Sequence, residues 1–290
     1  MKKGFSLVEL LVVIAIIGVL AAVLVASLSG GSETALAARC LSNMRNLAAA
    51  CQSYALDHDR HYPPAGNVVF TTMKSKDYTE LPGWISAMSK GLVNSSNKMP
   101  SYRHAQSISL YAEDNDENRY AFTHGALWKY VARDRNTYVC PLHARKCPKG
   151  VKPLWSYAMS EYFKWDSSGS ARIGDPRKAL GSLDHADKVL LFAELPFSGY
   201  NSWQPEGEGG SPDTDAILQY DSNNEQLGVN HTKGRDAFTH VAFADGHVEK
   251  LRVPTVNGKP DTSQMNELAE WLAAGKDVSL TDGTYREIVE

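Results

Sequence analysis

The chain of 290 residues lacks both a cluster of positive charge and a glycine-rich loop of the kind that cradles phosphates. Its formal net charge is −3 and no basic patch stands out, which argues against a nucleic-acid partner. The glycine-rich stretch at residues 207–210 lies between prolines, which is typical of a flexible loop. With 43% hydrophobic and 22% charged residues, the composition is that of an ordinary globular protein.

Charge is also missing from residues 10–32, between Glu9 and Glu33. As a helix this segment is roughly 35 Å long, enough to cross a hydrocarbon core of about 30 Å. Lys2 and Lys3 precede it, so the positive-inside rule places the N-terminus in the cytoplasm and the rest of the chain outside. A cleaved secretory signal peptide is the alternative. Its apolar core is only about 7–15 residues long and ends at a small-residue cut site, which this segment lacks.

Glu9 is the unusual residue of this segment, because a carboxylate at the bilayer centre costs about 2.5–3.5 kcal/mol. Residues 4–10, Gly-Phe-Ser-Leu-Val-Glu-Leu, resemble the processing motif of type IV prepilins and type II secretion pseudopilins. The resemblance implies that prepilin peptidase cuts between Gly4 and Phe5 and methylates the new amine of Phe5. It also implies that Glu9 pairs with the N-terminal amine of a neighbouring subunit during filament assembly, which would give the buried carboxylate a cationic partner. The alternative to this pairing is that Glu9 lies at the membrane interface and is exposed to water.

The helix is expected to continue beyond the uncharged segment as an amphipathic one. Apolar residues recur at spacings of four, three, four and three and therefore share one helix face: Cys40, Met44, Leu47, Cys51 and Tyr54. The helix should run from about residue 5 to about residue 58, ahead of Pro63 and Pro64.

The resemblance implies an α+β, pilin-like fold, in which a long N-terminal helix packs on an antiparallel β-sheet domain with large loops. The first half of the helix would span the membrane and build the filament core. The predicted organisation is a leader peptide at residues 1–4, a transmembrane and assembly half of the helix at 5–31, an amphipathic half at 32–60, and an extracytoplasmic globular α+β domain at 61–290.

Four cysteines lie in the part predicted to be exported, where disulfides form and persist. Cys40 and Cys51 are eleven residues apart on one helix, roughly 16 Å, which is too far for a disulfide. Cys140 and Cys147 enclose a short loop, and we predict a disulfide between them. Free or cross-paired thiols are alternatives. A zinc site that includes His143 is another, although no fourth ligand is evident.

The C-terminal half contains a second pattern. Residues 189–194 form an apolar run typical of a buried strand, and two β-rich runs flank Asp245-Gly246, which predicts a hairpin with a type I′ turn. This passage resembles a bacterial prepilin-like group described by a histidine, about nine residues and then Asp-Gly. Here thirteen residues separate His231 from Asp245, and residues 235–239 are expected to hold the insertion. We interpret His231, Asp245 and Gly246 as structural residues.

The histidines and the carboxylate near this hairpin invite a catalytic or metal-binding interpretation: His231, His240, Asp245 and His247. However, no nucleophile–base pair or zinc-protease motif accompanies them, and turn chemistry already explains Asp245. We therefore expect no catalytic residue, no bound metal, no cofactor and no enzymatic activity.

Calcium is a separate case, because the major pseudopilins hold it in a C-terminal loop. No such set of ligands can be assigned in this sequence. The acidic run of Asp114, Asp116 and Glu117 lacks the spacing of an EF-hand loop and is better explained as a solvated turn.

These patterns predict a structural subunit of a type II secretion pseudopilus or a type IV pilus-like filament, exported and processed by prepilin peptidase. The expected partners are that peptidase, other pilin or pseudopilin subunits contacted through the N-terminal helix, and membrane lipid, but no nucleic acid. The expected location is the bacterial inner membrane, as a single-pass protein with a cytoplasmic N-terminus and a periplasmic or extracellular C-terminal domain. From there the subunit can be extracted into a filament.

Two alternatives belong to other classes of function. One is a membrane-tethered or fibre-displayed surface protein whose large domain binds a glycan or a protein, with the aromatic residues at 200–203 as the place to look. The other is an exported enzyme or metal-binding domain that uses the histidines.

Overall fold

The fold is that of a computed structural model. The residues that it describes are 7–65, 68–71, 78–81, 83–85, 123–146, 153–163, 183, 185–195, 216–218, 227–233, 236–253, 255–256, 259–260, 268, 272, 278–281 and 284–287.

One continuous helix, α1 (Leu7–Asp57), dominates the N-terminal part and is 51 residues long. It ends where Asp59 and Arg60 adopt left-handed backbone conformations, with φ of 49° and 65°. The Arg60 N–H donates to the Ala55 carbonyl at 2.7 Å, which satisfies one of the carbonyls that the helix end leaves unpaired. Pro63 and Pro64 follow and could not continue the helix. The predicted end of the helix is confirmed.

The second half of α1 packs on the globular domain through the predicted apolar face. All five residues of that face are buried: Cys40, Met44, Leu47, Cys51 and Tyr54. They belong to the main hydrophobic core, together with aromatic side chains such as Trp84 and Phe192. The helix is therefore part of the domain core as well as an extension from it.

Short elements precede the main sheet. Strands β1 (Val68–Thr71) and β2 (Tyr78–Leu81) pair as an antiparallel hairpin. A 3-10 turn at Arg135–Tyr138 leads into the short helix α2 (Pro141–Lys146), and both lie against α1.

The main sheet has six strands: β3 (Tyr157–Ser160), β4 (Leu190–Glu194), β5 (Ile217–Leu218), β6 (His231–Lys233), β7 (Asp236–Phe243) and β8 (Val248–Val253). Their order is β5-β3-β4-β7-β6, and β8 also pairs with β7. Every pairing is antiparallel except that of β3 with β5. Two small hairpins follow: β9 (Thr255–Val256) with β10 (Lys259–Pro260), and β11 (Val278–Thr281) with β12 (Thr284–Glu287). The α+β class is confirmed.

Strand β7 positions the residues discussed below. Its C-terminal part pairs with β4, with Phe243 opposite Leu190, and its N-terminal part pairs with β6, with Phe238 opposite His231. Strands β4 and β6 thus both meet β7, which brings Glu194 at the end of β4 close to His231 at the start of β6.

The loop between β7 and β8 corrects one prediction. A type I′ turn requires positive φ at both central residues, but in this loop Gly246 has a positive φ, of 96°, and Asp245 does not. The Gly246 N–H donates to the Phe243 carbonyl at 2.9 Å, and the Phe243 N–H donates to the His247 carbonyl at 3.0 Å. The hairpin has a three-residue loop that ends in a glycine bulge, so the predicted type I′ turn is wrong while the predicted hairpin is confirmed.

Within the described residues, no helix is both long enough and apolar enough to cross a membrane.

Candidate functional site

The first turns of α1 expose apolar side chains on all sides of the helix. Their exposed fractions lie between 45% and 79%, and the residues are Leu7, Val8, Leu10, Leu11, Val12, Val13, Ile14, Ile16 and Ile17. A monomeric soluble domain rarely exposes so continuous an apolar surface, and surfaces of this kind mark contacts with protein or lipid.

The predicted processing and assembly residues lie at the start of this surface. Gly4 and Phe5 are outside the described residues. Glu9 belongs to α1, in its first turn, although its side chain is not among those described. Cys147, the acidic run at residues 114–117 and the aromatic residues at 200–203 are likewise outside the described residues.

A disulfide joins the long helix to the domain. It links Cys40 of α1 with Cys140, the residue before α2, with 4.9 Å between the two Cα atoms and 100 residues of sequence separation. The predicted Cys140–Cys147 disulfide is therefore wrong. The short helix α2 packs against α1 and thereby places Cys140 beside Cys40. This tertiary contact cannot be predicted from the spacing of the cysteines along the sequence.

Directly beside this disulfide lies a buried polar cluster centred on Glu194. The carboxylate is completely buried, and its Oε1 accepts hydrogen bonds from His231 Nε2 and His240 Nδ1, both at 2.8 Å. Its Oε2 accepts a hydrogen bond from Asn230 Nδ2 at 3.2 Å. His231 is fully buried and His240 is 3% exposed. A buried carboxylate is tolerated only with such partners, so the cluster holds β4, β6 and β7 together.

The histidines control the protonation of Glu194. Burial alone would raise its pKa, but the charge and hydrogen bond of His231 and the hydrogen bond of His240 outweigh burial and lower the pKa to about 2. The carboxylate is therefore ionised in the folded protein across the physiological pH range.

This shift predicts a loss of stability in acid. Because the pKa of Glu194 is lower in the folded protein than its ordinary value of 4.5, its contribution is complete above about pH 4.5 and is lost as the pH falls towards 2. We expect the free energy of unfolding, measured with denaturant at pH 7, 5 and 3, to fall more steeply for the wild type than for Glu194→Gln. Parallel pH profiles for the two proteins would contradict this assignment.

His231 also approaches the disulfide. Its Nε2 lies 3.9 Å from the Cys140 Sγ, and its ring stacks on Phe238, with 5.2 Å between the ring centroids. His231 consequently belongs to two sets of potential metal ligands whose donor atoms lie within 4.8 Å of one another: Cys40, Cys140 and His231, and Glu194, His231 and His240.

The tip of the β7–β8 hairpin contacts α1. The side-chain amide of Gln52 donates to the Asp245 carbonyl at 2.5 Å, and the Tyr62 hydroxyl donates to the Ala244 carbonyl at 2.5 Å. A Cβ atom on Gly246 would overlap the side chain of Gln52. In the described structure, the Asp-Gly segment is thus in close contact with the helix.

His247 and Asp245 lie on the outer side of this tip, both partly exposed. The Asp245 Oδ1 accepts from the backbone N–H of His247 at 3.0 Å and from its Nδ1 at 2.6 Å. These contacts stabilise the loop locally and do not reach the cluster around Glu194.

The sequence did not lead us to predict Glu194 as a site residue, because residues 189–194 were interpreted only as a buried strand. The signal was present, since a charged residue at the end of an otherwise apolar strand requires a buried partner. Finding that partner required the pairing of β6 with β7, which brings His231 and His240 to the same carboxylate.

Comparisons with known proteins match the N-terminal part of the chain. The family described as the prokaryotic N-terminal methylation motif matches residues 1–25. Type II secretion system core protein G of Escherichia coli K12 is 44% identical over 62 residues, which cover 21% of this chain and 42% of that protein. Its counterpart from Pectobacterium carotovorum is 40% identical over 60 residues, or 21% of this chain and 38% of that protein.

The N-terminal segment is therefore similar to that of pseudopilins. The chain spans about two-fifths of the length of these curated relatives, and the matched part covers only 21% of the chain itself. No solved structure matches the chain. The pseudopilin-like segment includes the prepilin methylation motif, whereas the disulfide partner Cys140 and the Glu194 cluster lie well beyond it along the sequence.

Proposed function

We propose that this protein is a structural subunit of a type II secretion pseudopilus or a related type IV pilus-like filament. The observation that carries the proposal is one helix with two different halves, in a chain that begins with a prepilin methylation motif. The first turns of the helix expose aliphatic side chains on all sides, and the second half is built into the domain core.

The two halves suit the two tasks of such a subunit. The exposed aliphatic surface can lie in lipid before assembly and against the equivalent helices of other subunits after assembly, since both environments are apolar. We propose a single membrane pass with the N-terminus in the cytoplasm, as the positions of Lys2 and Lys3 favour. The packed second half then fixes the domain rigidly to the filament.

A structural role also accounts for the histidines better than catalysis does. His231 and His240 are buried and bonded to Glu194, and the polar contacts of His247 are with its own loop and with Glu249. We propose that these residues maintain the fold. The relatives named as core proteins of a secretion system agree with a subunit that is assembled.

Processing is tested at the predicted cleavage site. We expect the mature protein to begin at a methylated Phe5, because the peptidase motif places the cut after Gly4. Gly4→Leu should leave the full-length precursor in the membrane, as seen by intact-mass spectrometry, whereas the conservative surface variant Arg39→Lys should be processed normally. An N-terminus between residues 27 and 31 would instead identify a cleaved secretory signal peptide.

Assembly is tested at Glu9. We expect Glu9→Leu to be processed and inserted normally but to enter filaments poorly, because the neighbour's amine loses its carboxylate partner. Glu33→Gln, which removes the next acidic charge along the chain, serves as the matched control. Sheared filaments are quantified by immunoblotting from cells that also express wild-type partner subunits. Normal incorporation of Glu9→Leu would refute the pairing.

A further inference from the structure

The buried region around Cys40, Cys140 and His231 contains, besides the disulfide, side chains that commonly bind metal ions. Three donor atoms, two sulfurs and one imidazole nitrogen, lie within 4.8 Å of one another, and all three residues are buried. The Glu194 carboxylate is 2.8 Å from the same His231 Nε2. His231 Nδ1 is buried and has no hydrogen-bond partner within the described part of the chain.

This set of donors matches one ion best. Thiolate and imidazole ligands together favour zinc, which takes four ligands in a tetrahedral arrangement at about 2.0–2.3 Å. Ligand atoms around such an ion lie roughly 3–4 Å from one another. The 3.9 Å between Cys140 Sγ and His231 Nε2 already meets that spacing, and breaking the disulfide allows the two sulfurs to move apart to it. Glu194 Oε1 lies 2.8 Å from His231 Nε2 but outside the group of donors that contains the sulfurs, so this carboxylate has to move towards them to become a ligand.

The surroundings of Glu194 resemble the outer shell of a metal site. Metal-ligating carboxylates are themselves oriented by hydrogen bonds from neighbouring groups. Here Asn230 Nδ2 and His240 Nδ1 hold the two carboxylate oxygens from the side of β6 and β7. Zinc would offset two of the three negative charges that two thiolates and a carboxylate carry.

We propose that this region is a zinc site in the reduced protein, with Cys40, Cys140 and His231 as ligands and Glu194 as the fourth. The disulfide and the zinc ion are then two alternative cross-links between the same elements, α1 and the segment that leads into α2. The proposal departs from the expectation, drawn from sequence, that the protein binds no metal. It does not depend on filament assembly.

Reduction followed by zinc binding converts the disulfide state into the zinc state. A dithiol reductant gives two electrons and two protons to the Cys40–Cys140 bond, which becomes two thiols while the reductant becomes a disulfide. Zinc then replaces the two thiol protons, which pass to the solvent. At His231 zinc takes the place of the Nε2 proton that Glu194 accepts; this proton passes to the solvent, and the ring is left neutral with a proton on Nδ1.

The test uses the full-length chain in detergent, reduced with a phosphine that binds zinc weakly. Water supplies the oxygen of the phosphine oxide and the two protons of the thiols. We expect the reduced chain to retain about one zinc per molecule after gel filtration. Cobalt in place of zinc should give the near-ultraviolet charge-transfer band of thiolate ligation. The oxidised chain should bind neither ion through sulfur.

Two variants locate the site. Cys140→Ser should abolish the thiolate–cobalt band or weaken it strongly, and Asn230→Ala should weaken zinc binding by about 10–100-fold through the outer shell. Cys51→Ser is the matched control, because Cys51 is a buried free thiol on the same face of α1, and it should bind zinc as the wild type does.

Three results would overturn the proposal: no zinc retained by the reduced wild type, a cobalt complex without a sulfur band, or unchanged binding in Cys140→Ser. Circular dichroism establishes whether each variant is folded. If Cys140→Ser does not fold, the cobalt spectrum of the reduced wild type decides, since it reports thiolate ligation without any substitution.

Discussion

Replacing Gly246 with valine is expected to destabilise the protein by about 2–4 kcal/mol. Two effects add. The backbone φ of 96° is one that a β-branched residue adopts only with strain, worth about 1–3 kcal/mol. A side chain at this position would also displace Gln52, whose amide donates to the Asp245 carbonyl, and that hydrogen bond is worth about 1 kcal/mol.

Thermal and denaturant unfolding of the full chain in detergent measure this effect. Asp245→Asn is the control next to it, because an asparagine oxygen can still accept from the backbone N–H of His247. A cycle with Gln52→Ala separates the two causes: Gln52→Ala alone loses only the hydrogen bond, and Gly246→Ala/Gln52→Ala should be little less stable than Gly246→Ala, in which that bond is already lost. Wild-type stability of Gly246→Val would show that the hairpin tip does not hold the helix.

Loss of the Cys40–Cys140 disulfide is expected to have a comparable or larger effect. The bond closes a loop of 100 residues, for which the chain-entropy model gives about 4.7 kcal/mol. Cys40→Ser and Cys140→Ser, measured under oxidising conditions, should therefore lower the free energy of unfolding by about 2–5 kcal/mol each. The double variant should lose little more than either single one, because both remove the same bond.

Cys147→Ser separates this connectivity from the local bridge suggested by sequence spacing. It should leave the stability and the disulfide unchanged, and non-reducing peptide mapping should join the peptides that contain Cys40 and Cys140. A Cys140–Cys147 peptide in the wild type, or a loss of stability in Cys147→Ser equal to that of Cys40→Ser, would contradict the structure.

Local patterns in the sequence predicted the elements that depend on local chemistry. The spacing from Cys40 to Tyr54 identified the buried face of α1, and Pro63 and Pro64 indicated where the helix ends. The hairpin around Gly246 was also predictable, because two β-rich runs flank a glycine. Its turn type was not, since the number of loop residues depends on where the strand pairing stops.

Features that depend on contacts between distant parts of the chain could not be predicted from the sequence. Cys140 was assigned to its nearest cysteine because nothing in the spacing shows that α2 packs on α1. The segment between His231 and Asp245 was expected to hold an insertion, but its place in the sheet was not predicted. It contains β7, which pairs with β6 and brings His231 close to Glu194.

The position of the disulfide has a mechanical consequence. Cys40 is the first fully buried residue of α1 among those whose side chains are described, so an axial pull on the preceding turns reaches the domain there first. The load passes through a covalent bond to Cys140 before it can shear the packing of Met44, Leu47 and Cys51. Non-covalent contacts along the remaining helix are thereby shielded from tension. The domain should stay attached under forces that would peel an unlinked helix away turn by turn.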